Sequence, residues 1–240
     1  MKVFIVDTQS EVDSYGAAEV ARQLLRKPDA VFSFAGGNTT KSFHKTVVEV
    51  AGQLRLDFSE ASAFTLDEYL GVSRDRPESV GWRITDQILR HLAFRPENIH
   101  MLDGLADDPA KACAEFDRLL EEKGIDLQIL GIGTNGHIAF NEPGTPFGSV
   151  SHVAELTGHT SESKAAMFGG IDKVPKQGIS VGIKSTMGAK CILLLAKGTD
   201  KAEVMKKTLY GPVTESVPSS VLQLHPDLVV VMDREAASAL

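Results

Sequence analysis

The chain has 240 residues, 42% of them hydrophobic, and a formal net charge of −7. No apolar run approaches the roughly 20 residues that span a bilayer, and the net negative charge offers no broad attraction to nucleic acid or an anionic membrane surface. The first residues turn acidic where a signal peptide would stay apolar. These features predict a cytoplasmic protein, a single domain over residues 1–240, and neither nucleic acid nor membrane as a partner.

Short apolar runs bounded by turn residues recur along the chain and predict buried strands. They cover residues 3–6, 30–35, 62–66, 127–132, 191–196 and 227–232. Between them, apolar residues at helical spacing predict helices over 10–26, 108–123 and 199–209. This alternation indicates an α/β fold with a mainly parallel sheet and helices on both faces. Such sheets bind ligands beyond the carboxyl ends of their strands, so the residues after each run are the candidates for a site.

The second apolar run leads into the turn Gly36-Gly37-Asn38-Thr39-Thr40, which opens a helix. Backbone N–H groups, the helix dipole and the Thr39 hydroxyl are suited to holding a phosphate there. A turn in which Asn38 or Thr39 merely caps the helix is an equal alternative, because both residues are good N-caps. The turn is neither a Walker loop nor a G-x-G-x-x-G, so no nucleotide is predicted.

The third apolar run ends at Asp67-Glu68-Tyr69, which places two carboxylates directly after a buried strand. A carboxylate in that position can reach a substrate carbon at the edge of the sheet and act as a base. The tripeptide by itself is equally compatible with a solvated loop.

Residues 131–144, after the fourth run, gather a histidine, a carboxylate and two amides among glycines. The imidazole of His137 titrates near neutrality, and Glu142, five residues on, is expected to orient it and raise its basicity. One histidine is too few ligands for a metal centre of the usual kinds. The segment therefore predicts acid–base chemistry without a metal.

Lys201 follows the fifth run, at the predicted start of a helix. A cation there opposes the helix dipole, which favours binding of the same phosphate over a structural role. A solvated surface lysine is the alternative.

Residues 143–178 show no clear alternation of strand and helix patterns and are rich in glycine. A long segment of this kind in a compact domain is typical of an active-site lid, so a mobile lid is predicted over this range.

Three segments resemble signatures of the glucosamine-6-phosphate deaminase family: FTLDEYLGV followed by PES, then GIGTNGHIAFNEPG, then VLQLHPD. The resemblance implies a Rossmann-like, doubly wound fold and the cofactor-free conversion of glucosamine 6-phosphate and water to fructose 6-phosphate and ammonia. It implies that Asp67 moves a proton between C2 and C1 of the open-chain sugar. It also implies that His137 assists ring opening, with Glu142 holding or polarising it, while Gly37, Asn38, Thr39 and Lys201 anchor the phosphate.

The sequence departs from the family pattern at two positions that matter. Asn135 stands where many members carry an aspartate of the ring-opening group, which would leave Glu142 as the one carboxylate partner of His137. Ala166 stands where an arginine that contacts the substrate phosphate is expected, and Lys164 is the candidate to replace it. A galactosamine 6-phosphate deaminase, a 6-phosphogluconolactonase and a non-catalytic sugar-phosphate sensor stay open as alternatives, and so does a homo-oligomer.

Overall fold

The computed structural model describes the backbone of residues 1–240 and every side chain except that of His159. The strands are β1 (Lys2–Val6), β2 (Val31–Phe34), β3 (Ser62–Thr65), β4 (Asp67–Tyr69), β5 (Ile99–His100), β6 (Leu127–Leu130), β7 (His152–Glu155), β8 (Gln177–Ser180), β9 (Ile192–Ala196) and β10 (Leu228–Asp233). The α-helices are α1 (Gln9–Arg26), α2 (Thr40–Leu54), α3 (Val80–Gln87), α4 (Pro109–Lys123), α5 (Gly158–Phe168), α6 (Ile183–Met187) and α7 (Ala202–Tyr210). Across this described backbone, no helix has both the length and the apolar character needed to cross a membrane.

The larger sheet has seven strands in the order β1-β10-β9-β6-β2-β3-β5, and every pairing within it is parallel. The predicted α/β fold with a mainly parallel sheet is therefore confirmed. The six apolar runs correspond to β1, β2, β3, β6, β9 and β10. The helix predicted over 199–209 begins later, because residues Thr199–Lys201 form a 3₁₀ turn ahead of α7.

Helices cover both faces of this sheet, which is why its central strands are apolar at every position. In β9, Leu193 and Leu195 pack into one core cluster together with residues of α1 and α2. Leu194 points to the opposite face and joins a second cluster with residues of α4 and α7. All three leucines are fully buried, and each contributes about 1.5–3 kcal/mol of burial free energy.

The carboxyl ends of the central strands are fixed by buried polar contacts. After β9, the Lys197 ammonium lies 2.7 Å from Asp13 Oδ1 of α1 and 2.8 Å from Ser42 Oγ of α2. The next N–H, of Gly198, donates to the Asp233 carboxylate at the end of β10. These contacts join two helices and two strands at one edge of the sheet, which makes that edge rigid.

A second, antiparallel sheet of three strands in the order β4-β8-β7 was not predicted from the sequence. Its strands are three or four residues long, which is too short for a clear alternating pattern. β7, α5 and the start of β8 fall within residues 143–178, so the segment contains regular structure although its sequence shows no clear alternation of strand and helix patterns. Motion of the segment stays a prediction.

Candidate active site

A cavity of about 340 Å³ lies at the carboxyl ends of β2, β6 and β9, where the parallel-sheet rule placed the site. We call the loops after these strands the floor of the cavity (residues 35–39, 131–137 and 200–201). We call the side chains that α3 and α5 contribute its roof. Its members are Val80, Arg83, Thr160, Ser163 and Lys164. Seven of the predicted site residues line the cavity, namely Gly37, Asn38, Thr39, Asp67, His137, Lys164 and Lys201.

The floor begins with the glycine turn between β2 and α2. A Cβ on Gly36 would lie 2.5 Å from Val80 Cγ1, so only glycine lets α3 pack this closely on the turn. The hydroxyl of Thr40 donates to the carbonyls of Ala35 at 2.7 Å and Gly37 at 3.0 Å, which closes the turn internally.

The alternative interpretation of this turn, capping of α2 by Asn38 or Thr39, is wrong. Thr39 occupies the N-cap position, but its backbone is helical and its side chain makes no capping hydrogen bond. Asn38 is exposed, and both side chains line the cavity instead. No side chain caps the N-terminus of α2, and of its first N–H groups the one of Lys41 donates to the Asn38 carbonyl through a long bond of 3.4 Å.

Asp67 lies at the start of β4, between floor and roof, and its side chain lines the cavity with only 8% of the residue exposed. Burial raises the pKa of its carboxyl to about 7, and the negative charge of Glu68 adds to this rise, while Arg83 and Lys164 oppose it. A carboxylate with such a pKa is a far stronger base than one in water and still ionises near neutral pH.

Glu68, the second carboxylate of the tripeptide, points away from the cavity and is 1% exposed. It accepts hydrogen bonds from the N–H groups of Tyr69 at 2.8 Å, Val80 at 3.0 Å and Gly81 at 2.9 Å. The Ser79 hydroxyl donates a fourth bond at 2.6 Å. Glu68 therefore fixes the N-terminus of α3, and the two neighbouring acids have different surroundings and different uses.

The glycines in the loop that contains His137 fix the position of its side chain. The Gly133 N–H donates to the His137 carbonyl at 2.9 Å, and a Cβ on Gly133 would lie 2.3 Å from the imidazole Cε1. Gly136 has a φ of +90°, which a side chain would strain. The loop thus needs both glycines to place the imidazole against its own backbone.

Glu142 and Asn135 lie behind His137 and do not line the cavity. The Glu142 Oε2 atom is 3.8 Å from His137 Nδ1, which is longer than a hydrogen bond. The Asn135 amide donates to Glu142 Oε2 at 2.8 Å, and its oxygen accepts from the His137 N–H at 3.1 Å. Asn135 therefore links the carboxylate to the histidine loop.

Glu142 also contacts the roof helix α5. Its carboxylate accepts from the Thr157 hydroxyl at 3.2 Å and from the Thr160 hydroxyl through a short bond. Thr157 is at the same time the N-cap of α5, where its side chain accepts from the Thr160 N–H. The residue that faces His137 is thus the one that anchors α5.

The two predicted lysines enter the cavity from opposite sides. Lys201 Nζ forms a salt bridge with Asp200 at 2.9 Å, and its side chain is 14% exposed. Lys164 comes from α5 and is half-buried, whereas Ala166 on the same helix is exposed. Burial lowers the pKa of the Lys164 ammonium, the charges of Arg83 and Lys201 lower it further, and Asp67 raises it.

Arg83, Tyr69 and Thr160 line the cavity but were not among the predicted site residues. Arg83 stands in the amphipathic helix α3, where an arginine usually signals an exposed face. Ser79 of the PES segment is the N-cap of α3, and a serine there is the sequence signal for the start of the helix that carries Arg83.

No group of three or more histidine, cysteine or acidic residues is arranged to hold a metal ion among the side chains that the structure describes. The expectation of a reaction without metal or cofactor stays a prediction.

The sequence and the fold match proteins that act on phosphorylated sugars. A family model described as glucosamine-6-phosphate isomerases/6-phosphogluconolactonase matches residues 7–230. A glucosamine-6-phosphate deaminase of Clostridium botulinum is 41% identical over 100% of this chain and 99% of that protein. A glucosamine-6-phosphate deaminase of Thermoanaerobacter pseudethanolicus is 39% identical over 100% of this chain and 95% of that protein.

Solved structures separate into two groups of similarity. A structure of a monomeric glucosamine-6-phosphate deaminase aligns with a TM-score of 0.97 and 38% identity over 100% of both chains. A 6-phosphogluconolactonase of Trypanosoma brucei aligns with a TM-score of 0.80 and 18% identity, over 100% of this chain and 98% of the other. At that identity the lactonase shares the fold, and its activity carries no argument for this chain.

Proposed function

This chain belongs to the family of glucosamine-6-phosphate isomerases and 6-phosphogluconolactonases, and we propose that it converts glucosamine 6-phosphate and water to fructose 6-phosphate and ammonia. The observation that carries the proposal is the placement of Asp67. A buried carboxylate with a pKa of about 7 faces the same cavity as an imidazole and three cationic side chains. That combination suits proton transfer on a phosphorylated sugar.

The floor and the lysines supply the binding energy for the phosphate. The N-terminus of α2, the Thr39 hydroxyl and the ammonium of Lys201 are all suited to an anion. A phosphate held there is remote from the reacting carbons, so its binding energy can position the sugar against Asp67 and His137.

His137 would transfer the proton that opens the sugar ring, with the charge of Glu142 favouring its protonated form. Asp67 would then remove the proton from C2 of the open-chain aldehyde while water protonates O1, which gives an enolamine. Asp67 would return the C2 proton to C1 as the nitrogen gives up one proton to water. The product of that transfer is a 2-imino sugar. Water adds to its C2, and expulsion of ammonia leaves the ketone of fructose 6-phosphate. Each step balances without an oxidant or a reductant.

The test is ammonia release from glucosamine 6-phosphate and galactosamine 6-phosphate, measured side by side with purified protein and excess chelator. Rapid release from the glucosamine ester is expected, with Asp67→Asn as the inactive control. Faster release from the galactosamine ester would replace the substrate and keep the reaction. If neither ester reacts, hydrolysis of 6-phosphogluconolactone distinguishes a lactonase from a sugar-phosphate sensor.

We also propose that residues 143–178 act as a lid and that the protein is cytoplasmic. The lid proposal is supported by α5, which carries Lys164 into the cavity and is anchored by Glu142. Slower amide exchange in α5 when substrate is present would support closure, and unchanged exchange would oppose it. A homo-oligomer stays open, and light scattering at two protein concentrations decides it.

A further inference from the structure

The roof of the cavity carries a cation that the family resemblance does not account for. The arginine expected at position 166 is absent, and Ala166 is exposed on α5. Arg83 enters the same cavity from α3, half-buried. The cavity therefore has a guanidinium, but it comes from a different helix.

The packing of α3 places the base of the Arg83 side chain beside the glycine turn between β2 and α2. Val80, one helical turn earlier on the same side of the helix, packs directly on Gly36 of the phosphate turn. Arg83 Nε donates to the Ser79 carbonyl at 3.3 Å, and Ser79 itself donates its hydroxyl to Glu68. The base of the arginine is thus fixed beside the turn that is suited to a phosphate.

The positive charges of Arg83 and its neighbours favour the binding of an anion. Arg83 and Lys201 both lower the pKa of Lys164, so the three cations lie within reach of one another. Among the described side chains, no carboxylate lies within salt-bridge distance of Arg83 or Lys164, although the charge of Asp67 attracts both, and the salt bridge of Lys201 is with Asp200. Repulsion between like charges in a part-buried cavity is relieved when a dianion binds between them.

We propose that Arg83 binds the phosphate group of the substrate, together with Lys164 and Lys201, in place of the arginine that is absent at position 166. This proposal rests on the proposed function for the identity of the substrate, but the phosphate site itself does not. A guanidinium offers two parallel N–H donors to phosphate oxygens, which an ammonium cannot do. Arg83 stands on α3, so its contact with the phosphate lies outside the segment predicted to move, whereas the contact of Lys164 lies within that segment.

The variants for the test are Arg83→Gln, Arg83→Lys, Ala166→Arg and the double variant with Arg83→Gln and Ala166→Arg. Arg90→Gln is the matched control, because it removes one positive charge just after α3 from an exposed residue paired with Asp86. Circular dichroism and thermal unfolding establish that each variant is folded.

For Arg83→Gln we expect the KM for the amino-sugar phosphate and the dissociation constant of inorganic phosphate to rise by about tenfold or more, with kcat changed by less than about threefold. For Arg83→Lys, the KM and the dissociation constant of phosphate should lie between those of the unchanged protein and of Arg83→Gln, since lysine keeps the charge and loses the paired donors. Ala166→Arg should restore part of the lost phosphate affinity in the double variant. Arg90→Gln should change neither constant.

Calorimetry with inorganic phosphate keeps this proposal separate from the proposed function, because it needs no turnover. If the unchanged protein binds phosphate and releases no ammonia, the proposed function fails while Arg83 can still be tested. Unchanged phosphate affinity in both folded Arg83 variants would overturn the proposal. A fall in kcat alone, with the acid limb of the pH profile moved upward, would overturn it too and assign Arg83 to the tuning of Asp67.

Discussion

The floor and the roof of the cavity are built by different kinds of structure. Each floor loop follows directly from a buried parallel strand, so its position is set by the core of the sheet. The roof side chains stand on α3 and α5, and each of these helices is anchored at its N-terminus by one buried carboxylate, Glu68 for α3 and Glu142 for α5. The floor is therefore preformed, whereas the roof depends on two acids that accept several hydrogen bonds each.

The largest effect is expected at Asp67, the group between floor and roof. Asp67→Asn keeps the shape of the side chain and removes the base, so turnover should fall by at least about 10³-fold. Steady-state ammonia release measures this, and calorimetry with inorganic phosphate should show binding retained within a few-fold. Turnover within tenfold of the unchanged protein would exclude Asp67 from the proton transfer.

The next two predictions compare how Asp67 and Glu68, which are adjacent in the chain, affect the free energy of unfolding. The native state holds the Asp67 proton up to its pKa of about 7, whereas the unfolded chain loses it near 3.8, the usual pKa of an aspartate. Native stability is therefore lost as the pH rises from about 4 to about 7. Asp67→Asn abolishes this loss and should make the protein more stable than the unchanged chain by about 2 kcal/mol at pH 8, with no gain at pH 4.

Glu68→Gln should do the opposite. Its carboxylate accepts four hydrogen bonds, and an amide can accept them with only one oxygen, so a loss of about 2–3 kcal/mol is expected at pH 8. Urea unfolding at the two pH values measures both variants. If both substitutions change the free energy of unfolding in the same direction, the two acids do not have opposite effects on stability.

A smaller effect is expected from Gly133→Ala in the floor. The added Cβ would overlap the His137 ring at 2.3 Å, so the imidazole must move, and kcat/KM should fall by about 10- to 30-fold. Gly131→Ala is the matched control in the same loop, because its Cβ would make an ordinary contact of 3.6 Å with Thr39. Equal losses in the two variants would show that the loop, and not the imidazole, is sensitive.

The smallest effect is expected in the roof. Thr160→Val keeps the side-chain shape and removes the short hydrogen bond to Glu142, so α5 should be held less tightly and kcat should fall by about fivefold. Thr46→Val is the control, since the Thr46 hydroxyl bonds only to a carbonyl of its own helix. Faster amide exchange in α5 should accompany the loss, and its absence would separate α5 from Glu142.

The floor and the roof of the cavity also differ in how far the sequence predicts them. The floor residues are adjacent in sequence to apolar runs, and strand order then brings them together. The sequence therefore predicts that Gly37, Thr39, His137 and Lys201 lie at one edge of the sheet, and all four line the cavity. The general rule for parallel sheets needs no knowledge of helix packing. Asp67 was found for the same reason.

The roof could not be predicted in this way. Arg83 and Thr160 lie inside or at the start of helices, where the sequence pattern gives the side facing the core but not the partner across a cavity. Glu68 and Glu142 anchor helices through hydrogen bonds to residues 11 to 18 positions later in the chain, at spacings that no regular element predicts. The sequence of residues 143–178 shows no clear alternation of strand and helix patterns, whereas the strand β7, the capped helix α5 and the start of β8 lie within it.

The small antiparallel sheet links Asp67 to the segment around α5. Ser180 of β8 pairs with Asp67 on one side and with His152 on the other. A change in the length of β7 or β8 would shift this register and turn neighbouring side chains to the opposite face. Insertions that keep this register would therefore have to fall in the turns around α5, outside the strands that position Asp67.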